Sequence, residues 1–324
     1  MKTRIRAVWF AAGVLIFFLV VRRTRWADFT AAFSLFDWRF ALLAFVAYAG
    51  VNAARVERLV LILGPRIGRR DLFGVVFIQN FLNSFFSFAG DGAYVSLLRR
   101  KKIAWGENVS SLLTVKACDL IMLAAIFLAA IFFTGSPRLA PFRAPAALLL
   151  ALAAGAVGFA GARPAAASRV LARIGHGAGV ARRPLFSRIV RTLQEISSGF
   201  SLLLRRDIFL KIFLATLANW LLTFLCGFFL FRGAGIGIGA AEAVFAYTLP
   251  ILASLTPAHA LGGIGTFEAS LISGLALVGV SVSAAIPASI IIHLEELVFL
   301  AVLGAAGFLA YDFRKESPER DRSD

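Results

Sequence analysis

The sequence predicts an all-α polytopic membrane protein that is an inverted repeat of two halves. Three observations support this fold class. Of the 324 residues, 60% are hydrophobic and only 16% are charged, whereas about a quarter of the residues of a soluble domain are charged. The apolar residues form stretches of about the length that crosses a bilayer. The basic residues, which give a formal net charge of +16, lie mostly between these stretches. This pattern excludes an ordinary cytosolic enzyme and favours membrane orientation over nucleic-acid binding.

Six apolar stretches are predicted to be spanning helices. The first resembles a secretory signal, but arginines follow it where a small-residue cleavage site would be needed, so we predict a retained span. The only cysteines, Cys118 and Cys226, lie inside apolar runs and indicate neither a disulfide nor a zinc site. The predicted spans are 7–21, 38–54, 109–133, 144–162, 207–231 and 284–311.

Two further apolar stretches, 72–98 and 240–280, are interrupted by polar residues, prolines and glycines. If every apolar segment crossed, there would be eight or nine spans. A single crossing by 72–98 would place the run from Arg99 to Lys102 outside, against the positive-inside rule. We therefore predict two re-entrant broken hairpins that enter from opposite sides, six crossings and both termini in the cytoplasm. This topology puts 25 of the 34 basic residues inside.

The predicted elements repeat as span, span, broken hairpin, span. Three crossings per half make the halves inverted, an architecture typical of transporters, whose substrate site lies where the repeats meet. We predict one transmembrane domain over 1–311, with a first repeat of about 1–133 and a second of about 134–311. The second repeat contains a basic cytoplasmic loop at 163–206, and a disordered cytoplasmic tail covers 312–324.

Ionisable residues inside predicted spans mark a candidate path. Lys116 and Asp119 are three residues apart on one helix face and able to pair, and His293 and Glu296 repeat this arrangement in the last span. Each such group costs about 2.5 to 3.5 kcal/mol at bilayer depth, so it needs a partner or a wet cavity. Two interpretations stay open: a polar seam that lines a path, or structural ion pairs between helices.

The second hairpin contains the segment SLTPAHALGGIGTFEAS, residues 254–270. A proline interrupts the helix, and the following glycines permit a break in the backbone. If a helix restarts at Thr266, its free amides suit a phosphate, and Glu268 lies in the first turn. The candidate substrate-binding residues of this segment are Pro257, Gly262, Gly263, Gly265, Thr266 and Glu268.

The first hairpin offers SFAGDGAY, residues 87–94, in which Gly90 permits a break. Asp91 is interpreted either as a cap of the following half-helix or as a substrate contact. Arg55 and Arg58, at the end of the second span, either gather an anionic headgroup or anchor the helix at the interface. These alternatives are open at the level of the sequence.

These motifs together resemble the lysylphosphatidylglycerol synthase transmembrane family, also described as flippase-like. The segment from Pro257 to Glu268 is similar to the family's Pro, Gly-Gly-x-Gly-Thr, Glu pattern. Gly90 with Asp91 resembles its glycine followed by an acid, and Lys116 with Asp119 its Arg-x-x-Asp. The resemblance covers about residues 7–311.

The resemblance implies a lipid translocase of the bacterial inner membrane. The substrate class it implies is a phosphate-headgroup lipid, such as an aminoacylated phospholipid, a polyprenyl-linked glycan or a hopanoid-related lipid. Larger family members carry an aminoacyl-transferase domain, which this sequence does not show, so we do not expect it to synthesise lysylphosphatidylglycerol. We expect a membrane lipid with an anionic headgroup as the partner, together with a lipid-modifying enzyme in one alternative, and no nucleic acid.

Two other function classes compete with transport. One is a non-catalytic membrane partner of a lipid-modifying or glycan-building enzyme. The less favoured one is a membrane-embedded transferase with Asp91 or Glu268 as base, because no metal cluster or activated nucleophile is visible. The sequence contains no GxxxxGK[ST] motif, so we expect no cofactor and no direct ATP coupling.

Overall fold

The computed structural model describes most of the two predicted repeats. The described residues are 33–85, 89–149, 206–255 and 261–313, with the isolated positions 30 and 151. The predicted span 7–21, most of the predicted span 144–162, the basic loop up to residue 205, and the tail from residue 314 lie outside them.

All the regular structure in the described residues is helical, which confirms the all-α fold class. Short 3₁₀ turns at Gly64–Arg66, Pro137–Phe142 and Leu261–Gly263 connect the helices, and a further helical segment starts at residue 143. The α-helices are α1 (Trp38–Leu63), α2 (Arg69–Phe85), α3 (Ala89–Arg100), α4 (Trp105–Phe133), α5 (Arg206–Gly233), α6 (Ala240–Ser254), α7 (Thr266–Leu277) and α8 (Val282–Ala310).

Four helices of the described part are long and apolar enough to cross a membrane, namely α1, α4, α5 and α8. They confirm four of the six predicted spans. Helix α1 continues to Leu63, well past the predicted end at 54. The two arginines that follow the predicted end, Arg55 and Arg58, lie inside the bundle with polar partners on other helices. Satisfied charges do not end a span.

One end of the bundle gathers both termini of the first hairpin, α2 and α3. Lys101, just after α3, forms a salt bridge of 2.9 Å with Asp71 in the first turn of α2. The Tyr311 hydroxyl, just after α8, donates to the Leu97 carbonyl over 2.7 Å. The pair α2–α3 therefore enters and leaves at the same end, as predicted for a re-entrant hairpin. We call this end the basic end. It also carries the salt bridge between Arg66, in the 3₁₀ turn after α1, and Glu107 in the first turn of α4.

The second hairpin, α6 and α7, enters from the opposite end. Glu242 in the first turn of α6 accepts a hydrogen bond of 2.9 Å from the Gly135 amide. Ser136 donates to the carbonyl of Leu277, the last residue of α7, over 2.7 Å. Both contacts lie just after α4, whose 29 residues carry the chain about 44 Å from the basic end. The two hairpins therefore point toward each other.

The long helices follow the same inversion. The Asp37 amide, at the start of α1, donates to the carbonyl of Gly233 at the end of α5, over 2.9 Å. Arg58 near the other end of α1 reaches Thr216 in the first half of α5. Equivalent helices of the two halves thus run antiparallel.

Each hairpin is closed by one glycine that packs against a backbone carbonyl of the other helix. A Cβ at Gly90 would lie 2.0 Å from the Gln79 oxygen, and a Cβ at Gly274 would lie 2.8 Å from the Ala246 oxygen. Neither distance is compatible with a larger side chain unless the helices move apart. The small residues are therefore needed for the close approach of the two half-helices.

Candidate functional site

Two adjoining cavities of about 350 and 380 Å³ lie between the tips of the hairpins. The last turn of α2, the first turn of α3, and helices α6 and α7 all contribute to the walls of the second cavity. The first cavity extends along α1 and α4. The cavities thus lie where the repeats meet, which is where the architecture predicts a substrate site. Both cavities are lined by Arg55, Asn80, Lys116, Trp220, Ile251 and Leu255.

Asp91 faces the second cavity and joins three helices. It accepts hydrogen bonds from Lys116 Nζ at 2.6 Å, Gln79 Nε2 at 3.1 Å and Asn83 Nδ2 at 3.0 Å. Its own amide donates to the Asn83 side chain over 3.2 Å. The carboxylate therefore holds α3 against α2 and α4, which is more than the plain helix cap that the sequence allowed.

Asp119 in the first cavity is bound by Arg58 of α1. The guanidinium donates two hydrogen bonds, of 2.5 and 2.9 Å, to the two carboxylate oxygens, and a third of 3.2 Å to Thr216. The Arg58 side chain is only 2% exposed. The pair therefore ties α1, α4 and α5 together inside the bundle.

Lys116 and Asp119 do not pair with each other, although their spacing on one helix face would allow it. Each residue binds a partner on another helix, Lys116 to Asp91 and Asp119 to Arg58. A guanidinium fork matches both carboxylate oxygens at once, which an ammonium does not. The shared helix face is nevertheless real, because both side chains line the first cavity.

The second hairpin restarts as a helix at Thr266, as predicted. The preceding turn has positive φ angles at Gly262, Gly263 and Gly265, of 75°, 78° and 83°, which favour glycine. The Gly265 amide donates over 2.7 Å to Glu268, so the protein's own carboxylate already occupies an amide of the predicted phosphate site.

Glu268 also binds His293 of α8. His293 Nδ1 lies 2.8 Å from the carboxylate, and Nε2 lies 2.6 Å from the carbonyl oxygen of Gly262. A carbonyl oxygen only accepts hydrogen bonds, so Nε2 carries a proton. One more proton lies between Nδ1 and the carboxylate. The pair is therefore neutral overall, whichever atom holds that proton.

Phe267 separates this pair from the second cavity. Its ring lines the cavity and stacks on the His293 ring with centroids 4.4 Å apart. The side chains of His293 and Glu268 are only 6% and 3% exposed. Substrate contact through these two residues stays a prediction, and it requires the second hairpin to move.

The predicted site residues thus fall into three groups. Pro257 lies outside the described residues. Four of the others line the cavities, and the remaining seven lie in the backbone turns and helix contacts behind them. The lining residues are Asp91, Lys116, Asp119 and Glu296, and the others are Gly90, Gly262, Gly263, Gly265, Thr266, Glu268 and His293.

Glu296 reaches the second cavity from α8, where it accepts a hydrogen bond from the Tyr247 hydroxyl. Tyr247 and Tyr48 line the same cavity. The carboxyl group of Glu296 and the phenols of Tyr48 and Tyr247 therefore line the second cavity together.

Arg55 differs from the other two cations of the cavities. Arg58 and Lys116 each bind a carboxylate, whereas Arg55 donates from Nε to the neutral Asn219 amide over 3.0 Å. Among the described residues, the two terminal nitrogens of Arg55 make no hydrogen bond. Arg55 lines both cavities, and its contact with a headgroup stays a prediction.

Sequence reasoning missed the neutral polar residues of the site. Asn80 donates over 2.7 Å to Asn52, which in turn donates over 2.8 Å to the carbonyl of Tyr48. The available signal was an amide side chain inside an apolar run, since an amide without a partner is costly to bury. Within the described part of the chain, no group of three or more His, Cys, Asp or Glu residues is arranged to hold a metal ion.

Comparison with known proteins identifies one family. A family model described as the lysylphosphatidylglycerol synthase TM region matches residues 6–304, which is most of the chain. No curated protein shows significant similarity to the chain.

Proposed function

The chain belongs to the lysylphosphatidylglycerol synthase transmembrane family, and from this premise we propose that it translocates a lipid with a phosphate headgroup across the membrane. Candidate substrates are an aminoacylated phospholipid, a polyprenyl-linked glycan and a hopanoid-related lipid. The observation that carries the proposal is the guanidinium of Arg55, which lies between the two hairpin tips without a carboxylate partner among the described residues.

The cavities supply polar contacts that a headgroup does not find in the hydrocarbon core of a bilayer. The ideal Born cost of moving a carboxylate-sized ion from water into a dry interior is on the order of 20 kcal/mol. Arg55, Lys116 and Asn80 replace part of the hydration shell of the phosphate, while the lipid chains stay in the bilayer. The opposed hairpins place this polar space between the two ends of the bundle, so a shift of either hairpin would open it toward one side.

Charge supports an orientation with the basic end in the cytoplasm. The cations at this end exceed the carboxylates there, as the positive-inside rule requires of an inner-membrane protein. We therefore propose that the first hairpin opens toward the cytoplasm and the second toward the outside. The basic residues at this end are Arg66, Arg69, Arg70, Arg99, Arg100, Lys101 and Lys102.

We propose transport without covalent chemistry. A general base must be free to take a proton from its substrate. Asp91 and Asp119 are each bound to a cation, and Glu268 is buried against His293. These bonded carboxylates favour transport over the transferase alternative.

The test is reconstitution of the purified protein in liposomes with acyl-chain-labelled phosphatidylglycerol. Dithionite added outside bleaches only the outer leaflet, so bleaching beyond about half of the label reports translocation. We expect the wild type to bleach the inner pool and Arg55→Gln to slow this at least tenfold. Arg99→Gln, which removes an exposed cation at the basic end, serves as the matched control and should keep the wild-type rate.

Two results would contradict the proposal. One is wild-type bleaching no faster than in protein-free liposomes. The other is equal rates for Arg55→Gln and wild type. Mass spectrometry of the recovered lipid provides the check against catalysis, because a transported headgroup must leave unchanged.

A further inference from the structure

We propose that the headgroup site is matched to a single negative charge, and therefore selects a phosphodiester over a diphosphate. This inference rests on the proposed function and narrows its substrate class. It follows from the charges that line the two cavities, taken pair by pair.

Two of the three cations lining the cavities are neutralised by the protein itself. Arg58 binds Asp119 through two hydrogen bonds, and Lys116 binds Asp91 at 2.6 Å. Each pair contributes a net charge of zero. An arriving anion gains little from either cation unless it displaces a carboxylate.

The ionisable groups next to the second hairpin, Glu268 with His293 and Glu296, do not increase the positive charge of the cavities. The Glu268–His293 pair is neutral in either arrangement of its shared proton and lies behind Phe267. Glu296 binds the Tyr247 hydroxyl, so it contributes either zero or one negative charge to the second cavity. The described walls therefore offer at most one unbalanced positive charge, which belongs to Arg55.

The geometry of Arg55 also fits one phosphate. Asn219 holds the guanidinium through Nε over 3.0 Å, and this leaves the two terminal nitrogens for a ligand. Two parallel N–H groups match the two non-bridging oxygens of one phosphodiester, which share one charge. Among the described residues that line the cavities, a second phosphate would find no further cation without a carboxylate partner, and it would face the carboxylates of Asp91 and Asp119.

The inference is tested by native mass spectrometry of the purified protein with lipids of identical acyl chains. The probes are dioleoyl phosphatidylmethanol, a phosphodiester, and dioleoylglycerol diphosphate. We expect the phosphodiester to bind at least tenfold more tightly. Dimethyl phosphate distinguishes a free phosphodiester from a lipid-borne one, and we expect it to compete only at a concentration at least a hundredfold higher than the lipid.

Charge variants separate charge from shape. Asp119→Asn adds one unbalanced positive charge beside Arg55 and should shift the ratio of the two affinities at least tenfold toward the diphosphate. The double variant Arg58→Gln with Asp119→Asn restores the wild-type charge and should restore the wild-type ratio. If Asp119→Asn alone does not fold, the preference of the wild type between the two lipids remains the test of the match. Arg99→Gln, distant from the cavities, should leave the ratio unchanged.

The outcomes distinguish a failure of the single-charge match from a failure of the proposed function. Equal binding of both lipids by the wild type, or an unchanged ratio in Asp119→Asn, would overturn the single-charge match. The proposed function would survive either of these outcomes if Arg55→Gln abolished the binding of both lipids. If neither lipid bound and none was translocated, the proposed function itself would fail.

Discussion

Each hairpin pairs a carboxylate with a basic side chain of the long helix that follows it, but the two pairs lie in different environments. Asp91 and Lys116 are 25 residues apart, and so are Glu268 and His293. In the first pair the lysine is 47% exposed and the aspartate 16%, whereas both members of the second pair are at most 6% exposed. The inverted repeat therefore includes a carboxylate and a basic side chain at the same spacing in each half, as well as the order of the helices. One copy faces the polar cavity, and the other is buried against a phenylalanine.

The side chains explain this difference. Lysine has a long flexible stem, so Lys116 reaches Asp91 while its ammonium stays in the cavity. Imidazole is short and flat, so His293 binds Glu268 only by lying inside the helix packing, where Phe267 covers it. Breaking a buried pair costs far more than breaking a hydrated one, because a buried polar group has no water to replace its partner. The two pairs should therefore differ sharply when one partner is removed.

The largest expected effect is at the buried pair. Glu268→Ala leaves the His293 Nδ1 and the Gly265 amide without their acceptor in a nearly dry site. We expect the free energy of unfolding to fall by about 3 to 5 kcal/mol, as when one partner of a buried pair is removed. Denaturation by SDS in mixed micelles measures it. Glu57→Ala, which removes an exposed partner of Arg69, is the control and should change little. A loss at Glu268 no larger than this control would show that the second pair is hydrated.

The next largest loss of stability is expected where the two helices of each hairpin pack against each other. Gly90→Ala places a Cβ 2.0 Å from the Gln79 oxygen, while Gly274→Ala places one 2.8 Å from the Ala246 oxygen. Overpacking of this kind costs about 1 to 3 kcal/mol, and we expect Gly90→Ala at the upper end of this range and Gly274→Ala at the lower.

Gly92 provides the matched control in the same helix as Gly90. A Cβ there would meet no atom within 4 Å, and its φ angle is not positive. Alanine is favoured over glycine in a helix by up to about 1 kcal/mol, so Gly92→Ala should be neutral or stabilising in the same denaturation. Equal losses at positions 90 and 92 would refute the close packing of α3 on α2.

Local patterns in the sequence predicted the helices of the two hairpins better than the side-chain contacts between helices. The length of the apolar stretches predicted the four described spans. The charge run from Arg99 to Lys102 predicted the first hairpin, and the glycines predicted the helix start at Thr266. Spacing of three residues placed Lys116 and Asp119 on one face but did not identify their partners. Their true partners lie 25 and 61 residues away, and only the packing of helices brings such positions together.

The role of Arg55 shows the same limit. The sequence left it as either a headgroup ligand or an interfacial anchor, because a basic residue near the end of an apolar run is typical of both. The distinction depends on Asn219, which is 164 residues away and neutral. A charged group becomes a candidate ligand when folding leaves it without a counter-charge, and no local pattern records that.

The smallest expected effect is at the hydrated pair. Asp91→Ala removes the acceptor of Lys116, Gln79 and Asn83. All these groups lie beside the cavity, where water can replace the carboxylate. We expect a loss of about 1 kcal/mol or less, as for exposed ion pairs, measured by the same denaturation as Glu268→Ala. Lys116→Met keeps the stem, removes the charge and should give a similarly small loss. A loss at Asp91 equal to that at Glu268 would mean that the first pair is as dry as the second. The contrast between the two hairpins would then vanish, and with it the argument that the first one faces the headgroup.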